Sequence, residues 1–252
     1  MTTNIATRLR DGKACRGAWL SIPSAHSARL LARLPLDFLL IDAEHTPLDN
    51  STLHGMVSNI AEANGPAPVV RVAAAQEVEV KRALDAGAQG IIAPMVNTPE
   101  EAKQVVAWSK FPPKGRRSFG SAYAGLAFGQ TMQEYLRYAN EQTFVGIQIE
   151  HNIALGHLDA IFSTPNLDMA FVGPVDLSIS LGLEPLPENP HPLFQEVLRG
   201  ILRCATKHGL PLGIYCSNAD AARQRLAEGF LFVNVASDAS AMLAGVKQAL
   251  SE

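Results

Sequence analysis

Short apolar runs alternate with longer amphipathic stretches along the 252 residues of the chain. Eight of these runs have the length of a strand, and most are continuously apolar, as strands covered on both faces are. The pattern predicts strands at 17–22, 38–42, 68–72, 90–94, 144–150, 169–173, 212–216 and 231–235. Alternation with helices indicates parallel βαβ units, and eight such units predict a closed α/β barrel, the (β/α)8 TIM barrel.

Local signals at the predicted helix ends agree with this pattern. Thr98, Pro99 and Glu101 carry the signature of a capping box with proline at the first helical position. Gly87 and Gly209 follow amphipathic stretches, where a glycine typically ends a helix. No repeat, linker or low-complexity tract divides the chain, so we expect residues 1–252 to form one domain.

Two connections depart from the regular alternation. Residues 111–129 read FPPKGRRSFGSAYAGLAFG and form a long insertion after the fourth unit. Long loops in compact domains are more often functional than idle. Residues 181–190 read LGLEPLPENP, and their prolines and glycine rule out a continuous helix.

Composition excludes several classes of function. The hydrophobic content of 47% is ample for a large core, and the net charge of −3 gives nucleic-acid binding no electrostatic support. Three cysteines without CxxC spacing are typical of a reduced cytosolic protein. We see neither a signal peptide nor an apolar run of the ~18–20 residues that a membrane span needs. We therefore expect a soluble, cytoplasmic protein without nucleic-acid or membrane partners.

Two predicted strands end on carboxylates, VGIQIE at Glu150 and FVGPVD at Asp176. The carboxyl ends of parallel barrel strands share one mouth, so these side chains are expected to converge. Two unpaired carboxylates repel each other, and a divalent cation such as Mg²⁺ or Mn²⁺ removes that cost. The alternative is that each acid caps the helix that follows its strand or accepts backbone hydrogen bonds there. The pair on neighbouring strands favours a metal site.

Further polar residues follow the other strands. Asp42 and His45 suggest a histidine base oriented by an aspartate, although a lone histidine there is more often structural. Arg71 lies in an apolar strand and needs an anionic partner, either a core carboxylate or a substrate group. Gln148 shares a strand side with Glu150 and either contacts substrate or forms a core hydrogen bond.

Other motifs are absent. The segments 216–220 and 236–240 lack the glycine pair of a barrel phosphate site, and there is no P-loop and no GxGxxG motif. Phosphorylated substrates and dinucleotides are therefore not favoured. Lys81, Lys103 and Lys207 fall on predicted helices, which argues against a Schiff-base mechanism. Glu44 is either a surface acid or a subunit contact.

Taken in order, these motifs resemble the metal-dependent HpcH/HpaI aldolase family, the class II pyruvate aldolases. The matching runs are LLIDAEHTPLD (39–49), VVRV (69–72), GAQGIIAPMVNTPEEA (87–102), FPPKGRRSFG (111–120), VGIQIE (145–150), FVGPVDLSISLG (171–182) and FVNVASD (232–238). The resemblance implies a (β/α)8 barrel that exchanges its C-terminal helix between subunits and assembles as a hexamer, a trimer of dimers. It also implies reversible cleavage of 4-hydroxy-2-oxo acids to pyruvate, or a hydroxypyruvate-like 2-oxo acid, and an aldehyde.

The resemblance also assigns roles by position. Glu150 and Asp176 match the ligands of a divalent cation, Mg²⁺, Mn²⁺ or Co²⁺. Arg71 matches the residue that holds the keto or enolate oxygen, and His45, supported by Asp42, matches the base for the aldol hydroxyl. The other expected substrate contacts are Gln148, the carboxylate cradle of Gly173, Pro174, Val175 and Asp176, and Trp19 at the pocket wall.

One departure from the family concerns the aldehyde. Members that accept a dicarboxylate-derived aldehyde resemble RGVGSALARA in the insertion, whereas this chain has RSFGSAYAGL, with Gly125 where that arginine would stand. We therefore expect a smaller or uncharged polar aldehyde. Two alternatives remain: an acyl-CoA lyase of the citryl- or malyl-CoA type, and a non-catalytic barrel that binds a 2-oxo acid.

Overall fold

Eight parallel strands close into one barrel in the computed structural model, which describes residues 4–251. Each strand pairs in parallel with the next, and the eighth pairs with the first. The strands are β1 (Cys15–Leu20), β2 (Phe38–Asp42), β3 (Ala67–Arg71), β4 (Gly90–Ala93), β5 (Phe144–Ile149), β6 (Met169–Val172), β7 (Leu212–Ile214) and β8 (Phe232–Ser237). The predicted (β/α)8 barrel is confirmed.

Helices alternate with these strands and cover the outside of the barrel. Within residues 4–251 they are α1 (Ile5–Arg10), α2 (Ala25–Leu31), α3 (Asn50–Glu62), α4 (Glu77–Asp85), α5 (Pro99–Ser109), α6 (Tyr123–Leu126), α7 (Met132–Gln142), α8 (Asn152–Leu155), α9 (Leu158–Phe162), α10 (Pro174–Ser180), α11 (Pro192–His208), α12 (Ala219–Glu228) and α13 (Asp238–Leu250). Over this described part of the chain, no helix has the length and apolar character needed to cross a membrane.

Aromatic rings fill the interior of the barrel beneath the site. The rings of Phe38 and Phe232 stack with centroids 3.7 Å apart, and Phe144 lies 6.0 Å from Phe232. Gly17 and Gly90 face these rings, and a Cβ at either position would overlap Phe38 or Phe144. The missing side chains therefore let large rings occupy the barrel.

Six strands end earlier than predicted, four of them by one residue, and β1 and β7 end two residues early because side chains replace the strand hydrogen bonds. After β1, the main-chain N–H groups of Ser21 and Ile22 donate to the carboxylate of Asp238, at 2.9 and 3.1 Å. After β7, the amide of Asn234 pairs with both the N–H and the carbonyl of Cys216, at 2.9 and 2.7 Å. Buried backbone groups need partners, and here the partners are side chains.

The predicted helix ends are confirmed. Thr98 and Glu101 form the capping box of α5, with Pro99 in its first turn. Gly87 and Gly209 follow α4 and α11 with φ values of +98° and +63°, which glycine adopts without strain.

Helix α13 is exposed along most of its length. Its first residue, Asp238, is buried, whereas Met242, Leu243 and Leu250 are 56%, 61% and 82% exposed. An exposed apolar stripe of this kind marks an interaction surface. The exchange of this helix between subunits requires a second chain and stays a prediction.

Candidate active site

The ends of β2 and β3 place Asp42 directly opposite Arg71. The Nε of Arg71 donates to Oδ1 of Asp42 at 2.9 Å, and its Nη2 donates to Oδ2 at 2.6 Å. Both residues are buried. Of the two partners that the sequence left open for Arg71, a core carboxylate and a substrate group, the structure supplies the first.

Trp19 completes this pair from β1. Its indole Nε1 donates to Oδ2 of Asp42 at 3.2 Å, and the guanidinium carbon of Arg71 lies 4.8 Å above its ring. Burial alone would raise the pKa of Asp42, but the hydrogen bonds and charge of Arg71, with the indole hydrogen bond, hold that pKa below its usual value. Asp42 is therefore a permanent anion that fixes the orientation of Arg71.

The predicted contact between Asp42 and the imidazole of His45 is not made. Oδ1 of Asp42 instead accepts from the main-chain N–H groups of Glu44 and His45, at 3.1 and 3.3 Å. The imidazole is exposed, and its Nε2 lies 3.7 Å from Oε2 of Glu44. Asp42 is already occupied by Arg71, so it positions the backbone that carries His45 rather than the ring.

Glu44 is the member of the site that the sequence left undecided. Its Oε2 lies 3.0 Å from Nη1 of Arg71 and is buried without a well-aligned hydrogen bond. Burial raises the pKa of Glu44, the nearby acids Asp42 and Asp176 raise it further, and the charge of Arg71 opposes them. A signal was present in the sequence, because Glu44 follows the end of a strand between Asp42 and His45.

Glu150 follows β5 and is buried among hydrogen-bond donors. Its Oε1 accepts from the main-chain N–H of Met95 at 2.8 Å, and its Oε2 accepts from the side-chain amide of Gln148. The other amide atom of Gln148, Oε1, is buried without a partner. The amide nitrogen of Gln148 therefore donates to Glu150, and its amide oxygen is an acceptor without a hydrogen-bond donor.

Gly173 at the end of β6 permits this close packing. A Cβ there would overlap Oε2 of Glu150 and lie 2.8 Å from Nε2 of Gln148. Pro174 and Asp176 follow in the first turn of α10, where Asp176 is exposed. The first N–H groups of a helix have no partner within it, and in α10 these include the N–H groups of Val175 and Asp176.

Negative charge accumulates where these strands end. Burial raises the pKa of Glu150 to about 7, and the charges of Glu44 and Asp176 add to the effect. Three carboxylates, on Glu44, Glu150 and Asp176, thus act on one another through their charges, although within residues 4–251 their oxygens do not all come within 4.8 Å of one another, and Arg71 is shared with Asp42. A divalent cation with oxygen ligands fits this donor set, because it would balance the excess charge and let Glu150 ionise.

A second group of metal-binding types lies on the outside of the barrel. Within residues 4–251, donor atoms of Asp159, Cys204 and His208 come within 4.8 Å of one another. Nζ of Lys207 lies 2.6 Å from Oδ1 of Asp159, so this carboxylate already has a cation. The strand-end acids are the better candidates for a metal.

The insertion at 111–129 does not bring Gly125 to the mouth of its own barrel. Gly125 is buried, and a Cβ there would point at the start of α7, 2.9 Å from the carbonyl oxygen of Gln130. Tyr123 packs edge-on against His54 of α3, with ring centroids 4.6 Å apart, beside a cavity of about 700 Å³. Within one subunit, Gly125 therefore gives no support to the expectation about the aldehyde.

The fold and the acid-rich cluster at the strand ends are those of a (β/α)8 barrel enzyme. The family model for HpcH/HpaI aldolase/citrate lyase matches residues 16–244, and the chain belongs to that family.

Similar proteins match over almost the full chain. The chain is 36% identical to a hydroxypyruvate/pyruvate aldolase of Rhizorhabdus wittichii, over 98% of this chain and 97% of the relative. It is 35% identical to a 4-hydroxy-2-oxo-heptane-1,7-dioate aldolase of Shigella sonnei, over 100% of this chain and 94% of the relative. A crystal structure of an HpcH/HpaI aldolase/citrate lyase family protein from Burkholderia cenocepacia superposes with a TM-score of 0.90 at 35% identity, covering 99% and 98% of the two chains.

These matches confirm the predicted family and the predicted enzyme class, an aldolase among the carbon–carbon lyases. The family is generally dependent on a divalent metal. The roles of the individual residues, the identity of the metal and the assembly stay predictions.

Proposed function

We propose that the protein is a divalent-metal-dependent aldolase that reversibly cleaves 4-hydroxy-2-oxo acids to pyruvate, or a hydroxypyruvate-like 2-oxo acid, and an aldehyde. One observation carries the proposal: Glu44 contacts the guanidinium of Arg71 while its charge acts on the buried carboxylate of Glu150. Arginine and acid are thus held at one mouth, and the named relatives are aldolases.

Glu150 and Asp176 would hold Mg²⁺, Mn²⁺ or Co²⁺. The support is the pKa of Glu150, which burial, with the added charges of Glu44 and Asp176, raises to about 7 when no cation opposes them. When bound, the cation supplies a Lewis acid that stabilises negative charge developing on the keto oxygen of the substrate.

Arg71 would hold the same keto oxygen. Two of its donors are engaged by Asp42, which leaves other N–H groups of the guanidinium for a ligand. Because Asp42 and Trp19 fix the guanidinium in advance, little reorganisation is needed as charge develops on the oxygen.

His45 would act as the base. Its exposed imidazole can accept the proton of the aldol hydroxyl. The electrons of that O–H bond then form the aldehyde carbonyl, the bond between C3 and C4 breaks, and its electron pair passes to C3 and the keto oxygen beside Arg71. Protonation of C3 gives the 2-oxo acid, and the reverse sequence builds the aldol.

The remaining contacts would orient the substrate. The carboxylate cradle is formed by Gly173, Pro174, Val175 and Asp176, and its N–H groups at Val175 and Asp176 suit a carboxylate, because a helix N-terminus favours negative charge. The unsatisfied Oε1 of Gln148 would accept from a hydroxyl or a water, and Trp19 would form the wall beneath Arg71.

Assembly and location are further parts of the proposal. We propose that the apolar stripe of α13 packs on a second copy of the chain, as helix exchange within a hexamer requires. Size-exclusion chromatography tests this, because the Leu243→Glu variant is expected to elute as a smaller species. A cytoplasmic location is supported by three free cysteines, Cys15, Cys204 and Cys216.

A screen of metals against aldehydes tests the function. Metal-free protein is assayed with pyruvate and hydroxypyruvate as donors, a series of aldehydes, and Mg²⁺, Mn²⁺ or Co²⁺. We expect turnover only with metal, and none in Glu150→Ala or Asp176→Ala, although both variants keep the far-UV spectrum of a folded barrel. Turnover that persists in EDTA would contradict the metal assignment, and inhibition by free CoA with no aldol product would favour an acyl-CoA lyase.

A further inference from the structure

Hydrogen bonds hold residues 181–190 against α10, the helix that begins at the proposed carboxylate cradle. The main-chain N–H of Leu183 donates to the carbonyl of Ser178 at 2.9 Å. Asn189 is buried, and its side-chain amide donates to Oγ of Ser178 at 3.1 Å and to the carbonyl of Glu184 at 2.8 Å. The segment is therefore an ordered part of the barrel mouth.

This segment carries Glu188 to the carboxyl end of β7. Its Oε1 accepts from the main-chain N–H of Ser217 at 2.9 Å, and its Oε2 accepts from Oγ of Ser217 at 2.8 Å. Among the ion pairs of residues 4–251, none involves Glu188. An acid without a basic partner thus stands beside the strand ends.

Tyr215 lies two residues before Ser217, the partner of Glu188, and contacts a residue of the site. It is half-buried and packs edge-on against Trp19, with centroids 5.4 Å apart, and the same indole also contacts the guanidinium of Arg71. Burial raises the pKa of Tyr215, the charge of Glu188 raises it further, and the charge of Arg71 lowers it. The charge of Glu188 therefore acts on a phenol ring that packs against Trp19, and this phenol stays a neutral hydroxyl at ordinary pH.

The net charge differs between the side of the mouth that holds Arg71 and the side that holds Glu188. Arg71 is matched by Asp42 and Glu44, so it offers no surplus positive charge to a second substrate carboxylate. Glu188, whose partners are the neutral N–H and hydroxyl of Ser217, adds a negative charge that would repel a carboxylate-bearing aldehyde. A hydroxyl group, in contrast, can donate to a carboxylate and either donate to or accept from a phenol.

We propose that Glu188 and the hydroxyl of Tyr215 form the acceptor side of the mouth, where they bind a neutral hydroxyaldehyde by hydrogen bonds and repel aldehydes that carry a carboxylate. The inference rests on the proposed aldolase function and names the substrate class of its second substrate. Rejection by a like charge is a recognised route to specificity.

Three probe aldehydes separate charge from hydrogen bonding. With pyruvate and a fixed metal, kcat/KM is measured for glycolaldehyde, propanal and succinic semialdehyde. In Glu188→Gln we expect kcat/KM for succinic semialdehyde to rise about tenfold, because removal of one partly screened charge has an effect of that size. The value for glycolaldehyde should fall, and the value for propanal should not change. Tyr215→Phe should lower kcat/KM for glycolaldehyde more than for propanal.

Two further variants distinguish the charge of Glu188 from its role in pinning the segment. Ser217→Ala removes one hydrogen bond to Glu188 but keeps the charge, so it should still discriminate against succinic semialdehyde. Glu184→Gln makes the same charge change at an exposed position of the same segment and should leave all three values unchanged.

The outcomes separate this inference from the proposed function. Two results would contradict the inference: Glu188→Gln changes kcat/KM for all three aldehydes by the same factor, or Ser217→Ala changes the three values as Glu188→Gln does. Either result would show that Glu188 only holds the segment in place, so the inference would fail while the proposed aldolase function would be unaffected. Absence of turnover by the unaltered protein with every metal and aldehyde would overturn both.

Discussion

Arg71 and Asp42 are opposite one another on adjacent strands, and the guanidinium takes both carboxylate oxygens, at 2.9 and 2.6 Å. The pair is buried, and a two-point contact fixes a planar guanidinium more firmly than a single hydrogen bond does. The geometry of Arg71 toward a substrate is therefore set by Asp42.

Removing one partner of this pair should lower the free energy of unfolding more than removing both partners does. Asp42→Ala leaves a buried guanidinium without its anion, so we expect the free energy of unfolding to fall by about 3–5 kcal/mol. Asp42→Leu combined with Arg71→Met should lose much less stability, although activity is lost. Urea denaturation of the two proteins measures the difference. Equal losses would show that the pair contributes little beyond its packing.

The sequence identifies the strand ends but not the contacts between them. Glu150, Asp176, Arg71 and Asp42 all follow apolar runs, and closure of the barrel brings any such residues to one mouth. Which carboxylate Arg71 binds depends on strand register, which the apolar pattern fixes only to within a residue or two. The sequence therefore pairs Asp42 with His45, its neighbour in the chain, whereas the barrel pairs it with Arg71.

Gly173→Ala should disturb Glu150 without touching any reacting group. The added Cβ would overlap Oε2 of Glu150 and crowd the amide of Gln148, so the carboxylate must move. We expect divalent-metal affinity to fall at least tenfold, measured by calorimetry, since ligands held about 1 Å out of place bind metal poorly.

Gly200→Ala is the matched control for Gly173→Ala. Gly200 lies within α11, and the nearest atom to an added Cβ is 3.9 Å away, so the methyl group meets only ordinary contact. This substitution should stabilise the helix by about 0.5–1 kcal/mol and leave metal affinity unchanged. An unchanged affinity in Gly173→Ala would show that Glu150 is not held as tightly as its contacts indicate.

Glu150 should make the metal-free protein less stable as pH rises. Burial raises its pKa from 4.5 to about 7 in the folded state, so its stabilising contribution is complete below about pH 4.5 and is lost as pH rises through 7. The loss is on the order of 3 kcal/mol. Thermal melting of the metal-free protein between pH 5 and pH 8 measures it.

A divalent cation should reverse this dependence. The cation binds the ionised carboxylate, so it stabilises the folded protein most above pH 7. Glu150→Gln should remove both the loss of stability on raising pH and the recovery on adding metal. Identical pH profiles for Glu150→Gln and the unaltered protein would remove Glu150 from the metal site.

Residues beyond the strand ends were harder to predict. Tyr215 lies in an apolar stretch whose sequence does not tell whether its ring faces the barrel or the helices. Glu188 follows two prolines in a segment without periodicity, and only the fold shows that it reaches Ser217. Contacts of this kind join segments that are distant in the chain, and local patterns carry no information about them.

His45→Ala should separate the two proton transfers of the reaction. If the imidazole accepts the proton of the aldol hydroxyl, its loss should slow aldol cleavage by about 10²–10⁴-fold. Exchange of the methyl protons of pyruvate, followed by NMR in D₂O, does not involve that hydroxyl and should change far less. His157→Ala, which removes an exposed histidine without a capping hydrogen bond, should alter neither rate. If His45→Ala slows both rates equally, the imidazole holds the site together or serves the pyruvyl carbon, and the base for the hydroxyl must be sought elsewhere at the mouth.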